Sequence, residues 1–187
     1  AALMTSVIHN PSKVAEYILS SRKMQIEILP PDINFGESEF SADHGAIRYG
    51  LSAIKSLGAP MIRAIVEERK ENGKYQSLRD FIERMSGREL NKRAIENLIK
   101  AGALDQVAGN RRQKLMVYAE IVDAVNQEKK NAMTGQMSLF DLISDEEKEA
   151  YEIQMPKVEE YSKEELLSFE KEVLGVYISG HPLEEYE

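Results

Sequence analysis

The sequence of 187 residues contains no cysteine, no tryptophan and only three histidines. The absence of cysteine removes disulfides, thiolate nucleophiles and cysteine-ligated zinc together. His9, His44 and His181 are too far apart to form a local metal motif. No stretch approaches the roughly 18 uninterrupted apolar residues of a membrane helix. The N-terminus also lacks the basic region and apolar run of a secretion signal. A soluble, intracellular chain with no membrane partner is therefore expected. What is present is 42% apolar and 30% charged residues, enough to bury a core while leaving polar stretches exposed. The chain opens on Ala1-Ala2-Leu3 without Met and stops at Glu187, so a piece of a longer protein is expected.

The formal net charge is −8, which taken alone argues against a nucleic-acid partner. The distribution changes that reading. Residues 1–44 carry a net −3, residues 45–114 a net +7, and residues 115–187 a net −12. A basic module between acidic flanks suits a phosphate-binding domain joined to a solvated acidic linker. A helical domain with lysine and arginine spread over a wet surface gives the same sums.

The pattern of apolar residues predicts a mainly helical chain. Ser12 is expected to cap a first helix with Val14, Tyr17 and Ile18 on its apolar stripe. Ile26 and Ile28 suit a short strand ending at Pro30-Pro31, and Ile47 with Tyr49 another. A short helix is expected over 51–56, with Gly58 taking a left-handed turn and Pro60 opening a helix that buries Met61, Ile62, Ile65 and Val66. Ser77 and Asp80 resemble a capping box before Leu78, Phe81, Ile82 and Met85. Asn91 can cap a helix carrying Ala94, Ile95, Leu98 and Ile99 inward, closed by Gly102. Asn110 can cap a longer one with Leu115, Tyr118, Val122 and Val125 on its stripe. Beyond Gln127 sustained periodicity fades, and residues 128–160 read as a linker of low order. Ser162 and Glu165 then form a capping box for a helix ended by Gly175, and Val176 to Gly180 suit a strand.

The segment from Gly50 to Lys70 carries the strongest physical signal. Two short helices meet at Ser56, Leu57, Gly58 and Ala59, with Leu57 and Ile62 directed to the core. Such a turn leaves backbone N–H groups unpaired at the start of the second helix, where the dipole adds partial positive charge. A phosphate fits there, and Lys55 and Arg63 flank the place. Binding of this kind depends on salt and is indifferent to base sequence. The arrangement resembles the helix-hairpin-helix module, with Ser56 where that hairpin usually has its first Gly. A looser second copy runs through the turn at Gly102 to Asn110, Arg111 and Arg112. Two arginines in a first helical turn oppose the dipole, which points to an anionic partner. An ordinary helical turn, and a helix pair that merely completes the bundle, remain alternatives for the two copies.

Within the linker, Gln136-Met137-Ser138-Leu139-Phe140 is an apolar patch in polar surroundings. It can dock in a partner's groove or pack back on the helices.

Taken in order, ILPPDIN, IRYGLSAIKSLG, NKRAIENLIKAGALD, GNRRQKL, QMSLF and LGVYISGHPL resemble the alpha subunits of bacterial DNA polymerase III, the C-family replicative polymerases. The resemblance covers essentially the whole chain. It implies that residues 1–40 close the fingers domain and that 41–127 form a tandem helix-hairpin-helix domain on duplex DNA. It further implies that 128–160 form a linker whose Gln136 to Phe140 bind the ring-shaped sliding clamp, and that 161–187 lead toward an OB-fold domain. Met137 replaces the usual Leu of the clamp motif, a near-isosteric change. The family's palm, whose carboxylates hold two metal ions, magnesium in the parent enzyme, lies upstream. No cofactor and no nucleotide transfer are therefore expected of this segment, and its partners would be double-stranded DNA, the clamp and other replicase subunits. A protein-interaction scaffold without DNA binding, and a helix-hairpin-helix piece of a repair nuclease or ligase, are the competing readings.

Overall fold

A computed structural model describes residues 1–134 and 153–180. Seven helices surround one continuous core among these residues, with a small sheet at one side. The helices are α1 (Ala2–Thr5), α2 (Pro11–Lys23), α3 (Ala59–Asn72), α4 (Leu78–Met85), α5 (Lys92–Lys100), α6 (Arg111–Met133) and α7 (Lys163–Leu174). The fold is mainly helical with a small three-stranded sheet, consistent with the expected helix-hairpin-helix bundle with short flanking strands.

Most helix starts are set by local chemistry. Asn91, Asn110 and Ser162 each accept a hydrogen bond from the backbone N–H three residues on, and Asn110 with Gln113 and Ser162 with Glu165 close full capping boxes. Helix α2 departs from expectation at its start: Asn10, not Ser12, is the cap, with Pro11 in the first helical position where its missing N–H costs nothing. Ser77 accepts from the N–H of Asp80, whereas the Asp80 carboxylate reaches back to the N–H of Gln76.

Strand β1 (Ile28–Leu29) runs parallel to β3 (Ala46–Arg48), and β2 (Ser41–Asp43) pairs with β3 antiparallel, in the order β1-β3-β2. The β2–β3 hairpin turns on His44 and Gly45, both at positive φ (50° and 89°), which matches the twist of a two-residue turn. Arg48 closes it with a 2.7 Å ion pair to Asp43.

The core draws Val14 and Ile18 from α2, Met61, Ile62 and Ile65 from α3, Phe81 and Ile82 from α4, and Ala94, Ile95 and Leu98 from α5. The buried Tyr75 sets its ring edge on Phe81, centroids 5.0 Å apart, and its hydroxyl donates to the Ile65 carbonyl at 2.8 Å. On α6 the fully buried line is Lys114, Val117, Ile121 and Val125, while Leu115, Tyr118 and Val122 are half-buried beside it. The helix is thus rotated from the expected stripe, because apolar residues occupy two adjacent faces and α4 and α5 both pack on it. It also continues six residues past Gln127, to Met133.

The C-terminal segment differs most from expectation. Residues 176–180 form no strand; they bend back so that Val176 and Ile178 enter the same core as Val14 and Ile18. The reason is Glu170, fully buried, whose carboxylate accepts the N–H groups of Ile178 and Ser179 at 2.7 and 3.0 Å and the Ser179 hydroxyl. Arg22 of α2 fixes the outer side by donating to the Ile178 carbonyl at 2.7 Å. Gly175, at φ 78°, makes the reversal that ends α7.

Candidate nucleic-acid interface

The first hairpin is tighter than the expected pair of helices. Its leading element is a single 3-10 turn, Leu51–Ala53, and the chain reverses at Ser56, whose φ is 68°. The left-handed residue is therefore Ser56 and not Gly58, which lies in extended backbone at φ −77°, ψ 153°. A left-handed conformation is where Gly normally serves, so the backbone strain of this turn sits on Ser56. Leu57 drops into the core beside Ile62, as expected, and anchors the loop.

Gly58 is the N-cap of α3 and supplies no side-chain cap. Among the described residues nothing accepts from the backbone N–H of Gly58, Ala59 or Met61; the first internal bond is Ile62 N–H to the Gly58 carbonyl at 3.1 Å. Gly58, Ala59 and Pro60 are solvent-exposed. This end of α3 therefore presents the free donors of Gly58 and Ala59, and the positive end of a helix dipole, to solvent, with the Met61 N–H behind them on a residue whose side chain is buried. One turn along, Arg63 is exposed and has no carboxylate partner among the described residues. Lys55 is exposed too, with its Nζ donating to the Glu172 carbonyl at 2.7 Å and its N–H to the Val173 carbonyl at 2.9 Å. The hairpin is thus buttressed from behind by α7.

The second hairpin, from α5 through the turn at 101–110 to α6, is built differently. Gly102 (φ 82°) is buried, and a Cβ there would strike the Arg111 guanidinium. Arg111 is itself buried: it is clasped by Asp105 at 2.7 Å and donates to the Lys100 carbonyl at 3.2 Å. Lys114, wholly buried, donates to the carbonyls of Leu104 and Val107 at 2.7 and 3.0 Å, and burial pushes its ammonium below the usual lysine range. Gly102 and the Arg111 side chain hold the turn together and are withdrawn from solvent, so the guanidinium expected to meet an external anion is spent on Asp105 and the Lys100 carbonyl. Arg112 does face solvent, with its guanidinium 5.6 Å from the Tyr161 ring centroid. The N–H groups that open α6 are not free. Those of Arg111 and Arg112 donate to the two carboxylate oxygens of Glu160, at 2.8 and 3.1 Å, and that of Gln113 to Asn110. Glu160 lies 48 and 49 residues away in sequence, and no local signal marks it.

Residues 25–114 match the family described as the helix-hairpin-helix motif. Three curated relatives carry the name DNA polymerase III subunit alpha. That of Borreliella burgdorferi is 39% identical over 187 residues, that of Deinococcus radiodurans 40% over 188, and that of Thermus aquaticus 38% over 186, in each case across 100% of this chain. The chain spans only 16%, 14% and 15% of their respective lengths. The chain resembles, end to end, one segment of DNA polymerase III subunit alpha.

Within this polymerase III alpha-like segment, the basic surplus of the hairpin module is largely paired inside the fold. Arg69 meets Glu37, Arg79 meets Glu83 and Glu128, Arg84 and Arg88 share Glu68, Lys92 meets Asp123, and Lys100 bridges Glu96 and Glu172. Lys55, Arg63, Lys74, Arg93 and Arg112 are the exposed cations of residues 45–114 with no carboxylate within 4 Å among the described residues. Of these five, all but Lys74 sit near the hairpin turns and helix starts. Residues Gln136, Met137, Ser138, Leu139 and Phe140 lie outside the described residues.

Proposed function

We propose that this segment binds the sugar-phosphate backbone of duplex DNA through its first hairpin, as a non-catalytic part of a replicative polymerase. The observation that carries the reading is the uncapped, exposed start of α3, where the N–H groups of Gly58, Ala59 and Met61 await an acceptor beside Arg63. A phosphate oxygen accepts from these donors and lies on the helix dipole. Lys55, Ser56 and Arg63 supply the flanking contacts, and the buried Leu57 and Ile62 hold the loop in place. Asn110 and Arg112 form the weaker second contact. Since every contact is to backbone, recognition is independent of base sequence. Among the described residues no group of three His, Asp or Glu side chains is placed to hold a metal ion, and the proposed binding uses none. The magnesium-dependent transfer step belongs, in this proposal, to a palm elsewhere in the parent enzyme.

The proposal extends to Gln136 to Phe140, which we assign to the sliding clamp; other replicase subunits would contact the parent enzyme. Two weak contacts joined by a short tether act at high effective concentration, so DNA and clamp together hold the polymerase far better than either alone. The test is titration of the chain with two labelled duplexes of unrelated sequence at several salt concentrations. The expected result is equal affinity for both duplexes and an affinity that falls steeply with salt. Absence of binding at low salt would overturn the DNA assignment and favour a protein-interaction scaffold.

A further inference from the structure

The two hairpins differ in one respect that their sequences do not announce: the anion position of the first is open, and that of the second is filled by the chain's own carboxylate. Glu160 places one oxygen on the Arg111 N–H and the other on the Arg112 N–H. These are the first two N–H groups of the second helix of this hairpin, the helix end on which a phosphate sits; at the start of α3 the matching positions are Ala59, whose N–H is open, and Pro60, which has none. Neighbouring contacts fasten the strap that brings Glu160 there. The Pro156 carbonyl accepts from the Gln113 amide at 2.7 Å, the Val158 carbonyl accepts from the Asn110 amide at 3.0 Å, and the Met155 side chain lies against Gly109. Helix α6 has no acidic residue in its first turn and has two arginines there, so Glu160 is the anion that its dipole otherwise lacks.

We infer that residues 153–161 form an internal phosphate mimic that latches the second hairpin, and that a DNA phosphate reaches the Arg111 and Arg112 N–H groups only by displacing Glu160. The anion position is therefore a shared site, taken in cis by a carboxylate and in trans by a backbone phosphate. The chain rests with one hairpin open and one latched. Engagement of the second hairpin lifts the strap, whose Tyr161 then leaves Arg112 to face the phosphate as well.

This inference rests on the proposed DNA binding, and its test separates the two. Glu160→Gln keeps the size of the side chain and removes the charge; Glu159→Gln makes the same change of net charge on the adjacent exposed residue, which has no part in the latch. Duplex binding is measured for the chain and both variants across a salt series, and the Arg111 and Arg112 amide resonances are followed during titration with inorganic phosphate. The expected result is tighter duplex binding by Glu160→Gln alone, roughly 3- to 10-fold for one recovered backbone contact. Its salt slope should steepen by about 0.9 for one further phosphate, and its two amides should shift at phosphate concentrations that leave the parent chain unchanged. If the parent chain binds duplex but the two variants behave alike and neither amide responds, the latch is wrong while the DNA reading stands. If no protein binds duplex but the amides of Glu160→Gln respond to phosphate, the latch stands as an anion site and the DNA reading falls.

Discussion

Ser56→Gly is the substitution whose effect follows most directly from the hairpin geometry. Ser56 sits at φ 68°, exposed, and makes no hydrogen bond through its hydroxyl among the described residues. An L-residue in this region costs about 1–2 kcal/mol through the contact of Cβ with the following carbonyl, which Gly avoids. Against this, Gly enlarges the conformational freedom of the unfolded chain, which costs about 0.4–1 kcal/mol. The balance is a stabilisation of about 1 kcal/mol, or a rise in Tm of about 2–4 °C for a chain of this size. Gly58→Ala is the contrast. Its φ is −77° and an added Cβ meets only the Pro60 ring, at 3.6 Å, so the loss of a Gly N-cap, about 0.5–1.5 kcal/mol, is largely offset by the gain of about 0.4–1 kcal/mol from a less free unfolded chain. Thermal unfolding of the two variants beside the parent chain gives the answer. A lower Tm for Ser56→Gly, or a loss from Gly58→Ala larger than the change at Ser56, would refute the assignment of the strain to residue 56.

The second hairpin makes three further stability predictions and the linker makes one about binding. Arg111→Ala should lower the urea midpoint by an amount equivalent to about 2 kcal/mol, because it strips Asp105 and the Lys100 carbonyl of their charged donor; a neutral result would mean that the clasp contributes nothing. Lys114→Met should cost about 1–3 kcal/mol by leaving the Leu104 and Val107 carbonyls without a donor, and a stabilised variant would show that desolvation of the ammonium outweighs its bonds. Gly102→Ala, strained by its φ of 82° and by the Arg111 guanidinium in its path, should be the most damaging of these three, and a Tm within a degree of the parent would contradict this. Gln136→Ala, Leu139→Ala and Phe140→Ala together should abolish retention on immobilised clamp with duplex affinity unchanged; retention of the triple variant would remove the motif from the account.

Features encoded locally were legible in the sequence. The caps at Asn91, Asn110 and Ser162 and the stripes of α3, α4 and α5 depend on residues three or four apart, and they stand where local chemistry puts them. Features that depend on distant partners were not. Val176 to Gly180 alternates like a strand, but a buried carboxylate eight residues earlier captures its N–H groups and folds it inward. Lys114 counts as polar in any pattern, yet two turn carbonyls make its burial tolerable and shift the face that α6 presents. At the candidate site, the place of the open helix start was legible from Leu57, Gly58 and Pro60. The left-handed Ser56 was not, since both it and Gly58 can serve a turn. Glu160 was beyond reach because its donors come from a segment 48 and 49 residues away.

Backbone amide mapping with duplex DNA at low salt tests the central claim most directly. Gly58, Ala59 and Met61 should show the largest shifts, with Arg63 close behind. Two duplexes of unrelated sequence should give the same pattern, and added salt should erase it. Binding that leaves these three amides unmoved, or no response at all from the chain, would contradict the claim that the open start of α3 grips phosphate.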